Sequence, residues 1–165
     1  MNRSSLLTAS ITRTPITLDV GYLRVTLPHQ IQAVLPMSSV QEVIAHPIHH
    51  ITAIPNMPVS VLGLMNRRSQ LLWLVDLANL LGIGGLELNS QTQSIVILKH
   101  NSLLVGCAVS AVEGMVQLTP DEFQAVPNHV PSSLLPYLRG CVVREENLLL
   151  ILNPNAILQS PVLQL

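Results

Sequence analysis

Three histidines stand close together in the stretch HPIHH, at positions 46, 49 and 50. Three imidazoles can hold a zinc ion and leave one position open for a reacting water. Pro47, however, keeps a regular helix from running on from His46, and the stretch itself supplies no acidic side chain to orient the imidazoles. We therefore interpret it as a polar, exposed connector. A metal-dependent regulator or enzyme centred on His46, His49 and His50 is retained as the alternative function.

Other residues that could do chemistry are arranged unfavourably for it. The acidic pair Glu145 and Glu146 lies in a predicted hairpin turn, where two solvated carboxylates rarely act as acid and base. The glycine-rich stretch at residues 82–85 follows a predicted helix end, so it is a turn and not a phosphate loop. Cys107 and Cys141 stand among apolar residues without metal-type spacing, which favours buried thiols over a disulfide. We expect no catalytic residue, no metal and no cofactor.

Charge and hydropathy narrow the classes of partner. Only 10% of the residues are charged, against the roughly 25% typical of globular domains, so we expect partner proteins to cover part of the surface. The net charge is −1 and Lys99 is the only lysine, which excludes the basic surface that nucleic acid requires. The best candidate for a membrane span, residues 71–83, is shorter than the ~20 residues needed and contains Asp76 and Asn79. The sequence predicts a cytoplasmic protein without direct membrane insertion.

The length of 165 residues suits one domain. Residues 1–16 have no apolar run long enough for a signal peptide, so we expect a flexible tail followed by a single domain over residues 17–165. Twelve prolines and many short apolar runs predict a mostly-β fold. Residues 40–44 keep a helical spacing for one turn only. The predicted strands cover residues 22–27, 31–35, 70–75, 94–98, 103–109 and 148–152.

The sequence also repeats itself once. Residues 63–81 align without a gap on residues 140–158, as LGLMNRRSQLLWLVDLANLL with RGCVVREENLLLILNPNAIL, each shown with its preceding residue. Asp76 pairs with Asn153, and both are good N-cap residues for a short helix, so alanine should cost the same at either. A weaker echo relates residues 31–43 to residues 103–115. We predict two similar β lobes, over about 17–90 and 91–160, each with charged residues in a hairpin turn.

These motifs, in this order, resemble the chemotaxis coupling-protein, or CheW-like, domain family. The resemblance covers residues from about 17 to 158, and its most specific part is the series Gly63, Asn66, Arg68, Asp76 and Leu77. It implies two SH3-like five-stranded β-barrel lobes packed around a shared core, with short helices. The matching stretches are YLRVTL, SSVQEVI, IPNMPVSVLGLMNRRSQLLWLVDLANLLG, SIVIL, LLVGCAVSAVEGMV and YLRGCVVREENLLLILNPNAIL.

The resemblance also implies a function. Members of the family are non-catalytic adaptors that join the cytoplasmic tips of chemoreceptors to the regulatory domain of a histidine kinase, in chemotaxis, phototaxis or pilus-motility signalling. Self-association is left open. Positions 40–42 and 94–96 correspond to a receptor-facing groove between the lobes, and positions 63–68 to a kinase contact. The partner-binding residues implied are Val40, Glu42, Gly63, Asn66, Arg68, Ser94, Ile95 and Val96.

The sequence departs from the family pattern at the turn. Ser69 replaces a common glycine, and because serine takes a positive φ less readily, we expect the hairpin type to change. Arg67 replaces an apolar residue, so we expect Arg68 to carry partner binding and Arg67 to matter less. Trp73 replaces a proline and is expected either in the core or as an interface anchor.

Overall fold

The computed structural model describes residues 20–88 and 91–163, so the predicted tail over residues 1–16 lies outside the described residues. Within these ranges the fold is mostly β, as predicted, and ten strands form two five-stranded sheets. Two short helices, α1 (Leu77–Leu80) and α2 (Pro154–Leu158), follow the fifth and tenth strands. The strands are β1 (Val20–Leu27), β2 (Ile31–Pro36), β3 (Val40–Pro47), β4 (Val61–Arg67), β5 (Gln70–Asp76), β6 (Thr92–His100), β7 (Leu103–Val109), β8 (Ala111–Leu118), β9 (Leu138–Arg144) and β10 (Asn147–Leu152).

Each sheet takes strands from both halves of the chain. The first sheet has the order β8-β1-β2-β10-β9 and the second has the order β3-β6-β7-β5-β4. A 3₁₀ turn at Met37–Ser39 carries the chain from β2 into the second sheet, and Ser110 returns it from β7 to the first. The two repeats are therefore interleaved, and the sheets do not coincide with the lobes predicted over residues 17–90 and 91–160. A repeat identifies equivalent strands, but local patterns do not say which sheet receives each one.

The central strands are apolar on both faces because each sheet curls around its own interior and also packs against the other sheet. The larger shared core uses the faces turned toward the other sheet, for example Leu98 of β6 and Leu150 of β10. The interior of the first sheet holds Tyr22, Val34, Leu118, Val142, Leu149 and Ile151, and that of the second holds Met65, Leu72, Leu74, Ile95, Ile97 and Ala108.

Gly63 and Gly140 occupy equivalent positions where each sheet closes into a barrel. Isolated backbone bridges join Thr52 to β4 and Gln124 to β9, so in each repeat a connector lies across the first strand of the hairpin. A Cβ atom at Gly63 would approach the Thr52 carbonyl oxygen to 2.2 Å, and one at Gly140 would approach the Gln124 oxygen to 3.0 Å. Their φ angles of 143° and 149° also disfavour a side chain. The two glycines are therefore needed for barrel closure.

The local predictions hold with one exception. Residues 40–44 begin β3, which pairs with β6 along its length, so the one-turn helical spacing is misleading there. The exposure of β3 alternates from residue to residue, as in a half-buried strand. The short helix predicted to begin at the N-cap Asp76 is confirmed as α1. The Asp76 carboxylate accepts the backbone N–H of Asn79 at 3.2 Å, and Gly82 has a φ of 78°.

Candidate partner-binding site

The hairpin of β4 and β5 presents two arginines at one end of the second sheet. Arg67 pairs with Gln70, which leaves Arg68 and Ser69 as a two-residue turn. Both turn residues have positive φ angles, 51° and 67°, as in the type I′ turn whose twist suits a two-residue hairpin. The Glu145-Glu146 turn of the other repeat has nearly the same angles, 52° and 67°. Ser69 therefore adopts the left-handed conformation, and the turns of the two repeats share one backbone conformation. The change of hairpin type expected relative to the family pattern stays a prediction.

Glu42 on β3 binds both arginines. The Arg67 guanidinium donates to the Glu42 carboxylate from Nε at 3.2 Å and also from Nη2, whereas Arg68 makes one contact at 3.2 Å. The hydrogen bond from Arg67 is the main reason that the pKa of the Glu42 carboxyl lies below its ordinary value. Two arginines share one carboxylate, so the cluster is net positive. Arg68, with 76% of its side chain exposed, presents that charge to solvent.

This ion pair joins strands from opposite edges of the second sheet. β3 and β4 are its outer strands, and Glu42 meets Arg67 because the sheet curls. In the first sheet Arg144, the repeat counterpart of Arg67, contacts Glu122 at 2.8 Å. The hydrogen bond from Arg144 lowers the pKa of Glu122 to about 2. An arginine thus closes both barrels. Its carboxylate partner lies on a strand in the second sheet's barrel and on the 3₁₀ turn Pro120–Glu122 in the first sheet's barrel.

Five of the predicted partner-binding residues have accessible surface. Asn66 and Arg68 are exposed at the hairpin end, and Glu42 is half-buried beside them. Val40 is half-buried against the shared core, opposite β6. Ser94 is also half-buried but pairs with Ala45, farther along β3 from the arginines. The structure therefore joins Glu42 to the hairpin turn and leaves Ser94 apart, whereas the sequence prediction grouped position 42 with positions 94–96.

The other three predicted residues are buried. Ile95 and Val96 are 0% exposed, with Ile95 inside the second barrel and Val96 in the shared core. Gly63 is buried where the Thr52 backbone crosses it. Burial of this kind is usual on a central strand of a two-sided core, and partner contact at these positions stays a prediction.

Sequence reasoning missed an exposed apolar surface beside the turn. Leu71 on β5 is 69% exposed, and Leu103 on the neighbouring β7 is 47% exposed. Trp73, two residues beyond Leu71 on the same face of β5, is half-buried against the shared core. Because β5 is apolar on both faces, hydropathy alone does not separate exposed Leu71 from buried Leu72. We call Leu71, Trp73 and Leu103 the bare face.

Comparison with known proteins agrees with this architecture. The chain matches the family model of the CheW-like domain over residues 21–162. The chain belongs to the CheW-like domain family. It is 31% identical over 126 residues to Protein PilI of Pseudomonas aeruginosa, a match that covers 76% of this chain and 68% of PilI. The crystal structure of the scaffolding protein TtCheW from Thermoanaerobacter tengcongensis has a similar fold, with a TM-score of 0.70 and 21% identity over 82% of this chain and 90% of that chain.

In this CheW-like chain the histidine cluster does not form a metal site. The ring centroids of His49 and His50 are 4.4 Å apart, and those of His46 and His50 are 6.1 Å apart. Over residues 20–88 and 91–163, no group of three histidine, cysteine, aspartate or glutamate side chains is placed to hold a metal ion. Burial is the main cause that lowers the pKa of His46 and so favours its neutral ring. The structure therefore gives no support to the alternative function centred on this cluster.

Two further expectations for this CheW-like chain concern its thiols and membranes. Cys107 and Cys141 are buried free thiols, as predicted, and burial raises the pKa of Cys107 to about 12. Such a thiol is a poor nucleophile at neutral pH. None of the helices in the described ranges has the length and apolar character needed to cross a bilayer.

Proposed function

We propose that this chain is a non-catalytic adaptor that joins the cytoplasmic tip of a chemoreceptor-type sensor to the regulatory domain of a histidine kinase. Membership of the CheW-like family supports the adaptor role, and the similarity to PilI favours pilus motility among the expected pathways. The adaptor works in the cytoplasm and needs neither metal nor cofactor. The adaptor acts by binding its partner proteins and not by catalysing a reaction.

The observation that carries the proposal is the display of Arg68 on a two-residue hairpin turn. A type I′ turn fixes the backbone on both sides of Arg68, while its guanidinium keeps only one 3.2 Å contact. Arginine is a frequent interface anchor because its planar guanidinium combines stacking area with several donors. Arg67 contributes indirectly, since it already occupies the Glu42 carboxylate that Arg68 would otherwise hold more closely.

The test uses the purified chain with two fragments from the same organism, the kinase regulatory domain and a receptor-tip fragment. Truncating an anchor arginine costs about thirtyfold in affinity, so Arg68→Ala should weaken binding to one fragment by about that factor. Arg139→Ala is the matched control, because Arg139 is an exposed arginine on β9. Binding of the wild-type chain to neither fragment would refute the adaptor role. Equal binding by both variants would remove Arg68 from the interface.

Arg67→Ala separates the roles of the two arginines. Without Arg67, the Glu42 carboxylate becomes free to pair with Arg68 and withdraw it from solvent. We therefore expect Arg67→Ala to weaken binding as well, in contrast to the sequence-based expectation that it matters less. The double variant Arg67→Ala/Glu42→Gln should recover part of the loss because Arg68 is released again. No recovery would show that Arg67 or Glu42 contacts the partner directly.

A further inference from the structure

The two repeats differ in one connector. It leads from the edge strand to the next hairpin, that is, from β3 to β4–β5 in one repeat and from β8 to β9–β10 in the other. Residues 48–60 join β3 to β4, whereas the longer segment 119–137 joins β8 to β9. Both connectors end alike, since the Ser60 carbonyl accepts the N–H of Asp76 at 2.7 Å and the Tyr137 carbonyl accepts that of Asn153 at 2.8 Å. The additional length lies before this common end, in the region of Val130.

The longer connector covers the junction of β2 and β10. Val130 is 9% exposed and Leu134 is 0% exposed, and with Pro131 they line a cavity of about 330 Å³. Ile31, Leu148 and Leu150 line the same cavity. The connector is also fixed to the second sheet's helix, because the Ser133 hydroxyl donates to the Leu81 carbonyl at 2.9 Å. Part of the chain itself thus shields this apolar surface.

The bare face is the counterpart of that covered surface. Trp73 pairs with Val105 in the parallel β5–β7 register, as Leu150 pairs with Ala33 between β10 and β2. By the same equivalence Leu71 corresponds to Leu148, and Leu103 to Ile31. The shorter connector places Met57 against the shared core but leaves Leu71 and Leu103 exposed. Both repeats therefore present an equivalent apolar surface. The longer connector covers it in one repeat, and it is exposed as the bare face in the other.

Charge distinguishes the two surfaces further. Beside the bare face the β4–β5 turn carries exposed Arg68. At the covered surface the equivalent turn carries exposed Glu145 and Glu146. A segment that suits the bare face must therefore bring carboxylates as well as apolar side chains.

We propose that the bare face docks an acidic, apolar segment of a different protein, with two apolar side chains four residues apart taking the places that Val130 and Leu134 take on the other barrel. A carboxylate of the same segment pairs with Arg68. This inference rests on the proposed adaptor function and specifies the chemistry of one partner. It also assigns Trp73 its role as the half-buried floor on which the incoming apolar side chain packs.

The experiment measures affinity for the kinase regulatory domain and the receptor-tip fragment with Leu71→Gln and Leu103→Gln. Met115→Gln and Val143→Gln are matched controls, because these residues are 62% and 50% exposed on β8 and β9. We expect each bare-face variant to bind one fragment about thirtyfold more weakly, while the controls bind like wild type and all four keep the wild-type melting temperature. Added salt should weaken wild-type binding to that fragment more than it weakens binding by Arg68→Ala.

Other results would overturn the inference in distinguishable ways. If the wild-type chain binds a fragment and both bare-face variants bind it equally well, the docking surface is refuted while the adaptor role stands. Wild-type binding to neither fragment would refute the adaptor role and the docking inference together. If the chain self-associates and Leu71→Gln abolishes this, the occupant is a second copy of the chain and not a different protein.

Discussion

Asp76 should stabilise the fold more than its repeat counterpart Asn153, although sequence alone assigns them the same helix-capping role. Asp76 is 3% exposed, and its carboxylate accepts the Asn79 N–H at 3.2 Å, the Asn79 side-chain amide at 3.3 Å and the Leu86 N–H at 2.8 Å. The Asn153 side chain caps α2 through one backbone bond, from the Asn155 N–H at 3.1 Å, and it also accepts from the exposed Arg139 guanidinium at 3.4 Å. Asp76 therefore also fixes the loop after α1.

The magnitudes follow from these bonds. Removing an N-cap costs about 0.5–2 kcal/mol, typically about 1, so Asn153→Ala should lower the free energy of unfolding by about 1 kcal/mol. Asp76→Ala removes a cap and also the charged acceptor of the Leu86 N–H, and a hydrogen bond to a charged group contributes about 1.5–3 kcal/mol. The expected loss for Asp76→Ala is therefore about 2–4 kcal/mol. Asp76→Asn should fall between, since asparagine is a good cap but carries no charge.

Denaturant unfolding at pH 7 measures the three variants. The midpoint should be highest for Asn153→Ala, lower for Asp76→Asn and lowest for Asp76→Ala. The slope of each transition should be unchanged, which would show that the compactness of the folded and unfolded states is unaltered. Equal midpoints for the two alanine variants would refute the reasoning, because the bond to the Leu86 N–H would then contribute nothing. A loss for Asp76→Asn as large as that for Asp76→Ala would mean that charge alone matters and capping does not.

Three further predictions concern barrel closure, pH and metals. Gly63→Ala should destabilise the fold more than Gly140→Ala in the same denaturation assay, because the added Cβ meets a carbonyl oxygen at 2.2 Å in one case and 3.0 Å in the other; equal losses would contradict this. The pKa of Glu122 is lowered to about 2, so the ionised side chain stabilises the fold fully above its ordinary pKa of 4.5, and this stability is lost as the pH falls toward 2. A Glu122→Gln variant should lack this part of the acid transition. An unchanged acid transition in the variant would argue against the pair with Arg144. Chelator should leave the melting temperature unchanged, whereas a bound structural metal would reveal itself by a drop of many degrees.

Most of the local structure is predictable from the sequence because the signals are local. Asp76 and Asn153 mark helix starts through their own side chains, and the strand boundaries follow turn residues. The repeat also contained the pairing of Arg67 with Arg144, which the structure shows to be a shared role in closing the barrels. Comparison with the family pattern concealed this role, because it presented Arg67 only as a departure.

The parts that could not be predicted depend on contacts distant in sequence. Whether an apolar strand residue is exposed is decided by which sheet lies opposite, so Leu71 and Ile95 look alike in sequence and differ completely in exposure. The Glu42–Arg67 contact arises only when two edges of a curled sheet meet. The sequence-based grouping of position 42 with positions 94–96 therefore misses the contact of Glu42 with the hairpin turn.

The interleaved strand order has a consequence for how the chain acquires its structure. β2 pairs with β10 and β1 pairs with β8, so the first sheet is not complete until strands from near the end of the chain have been synthesised. At the ~5–20 residues per second of translation, the edges of β1 and β2 wait on the order of ten seconds for their partners. Contacts of such long range make folding slow, and unpaired edges in the meantime favour aggregation. The nascent chain is therefore expected to need protection by chaperones, and fragments cut near residue 90 should gain stable structure only when both are present together.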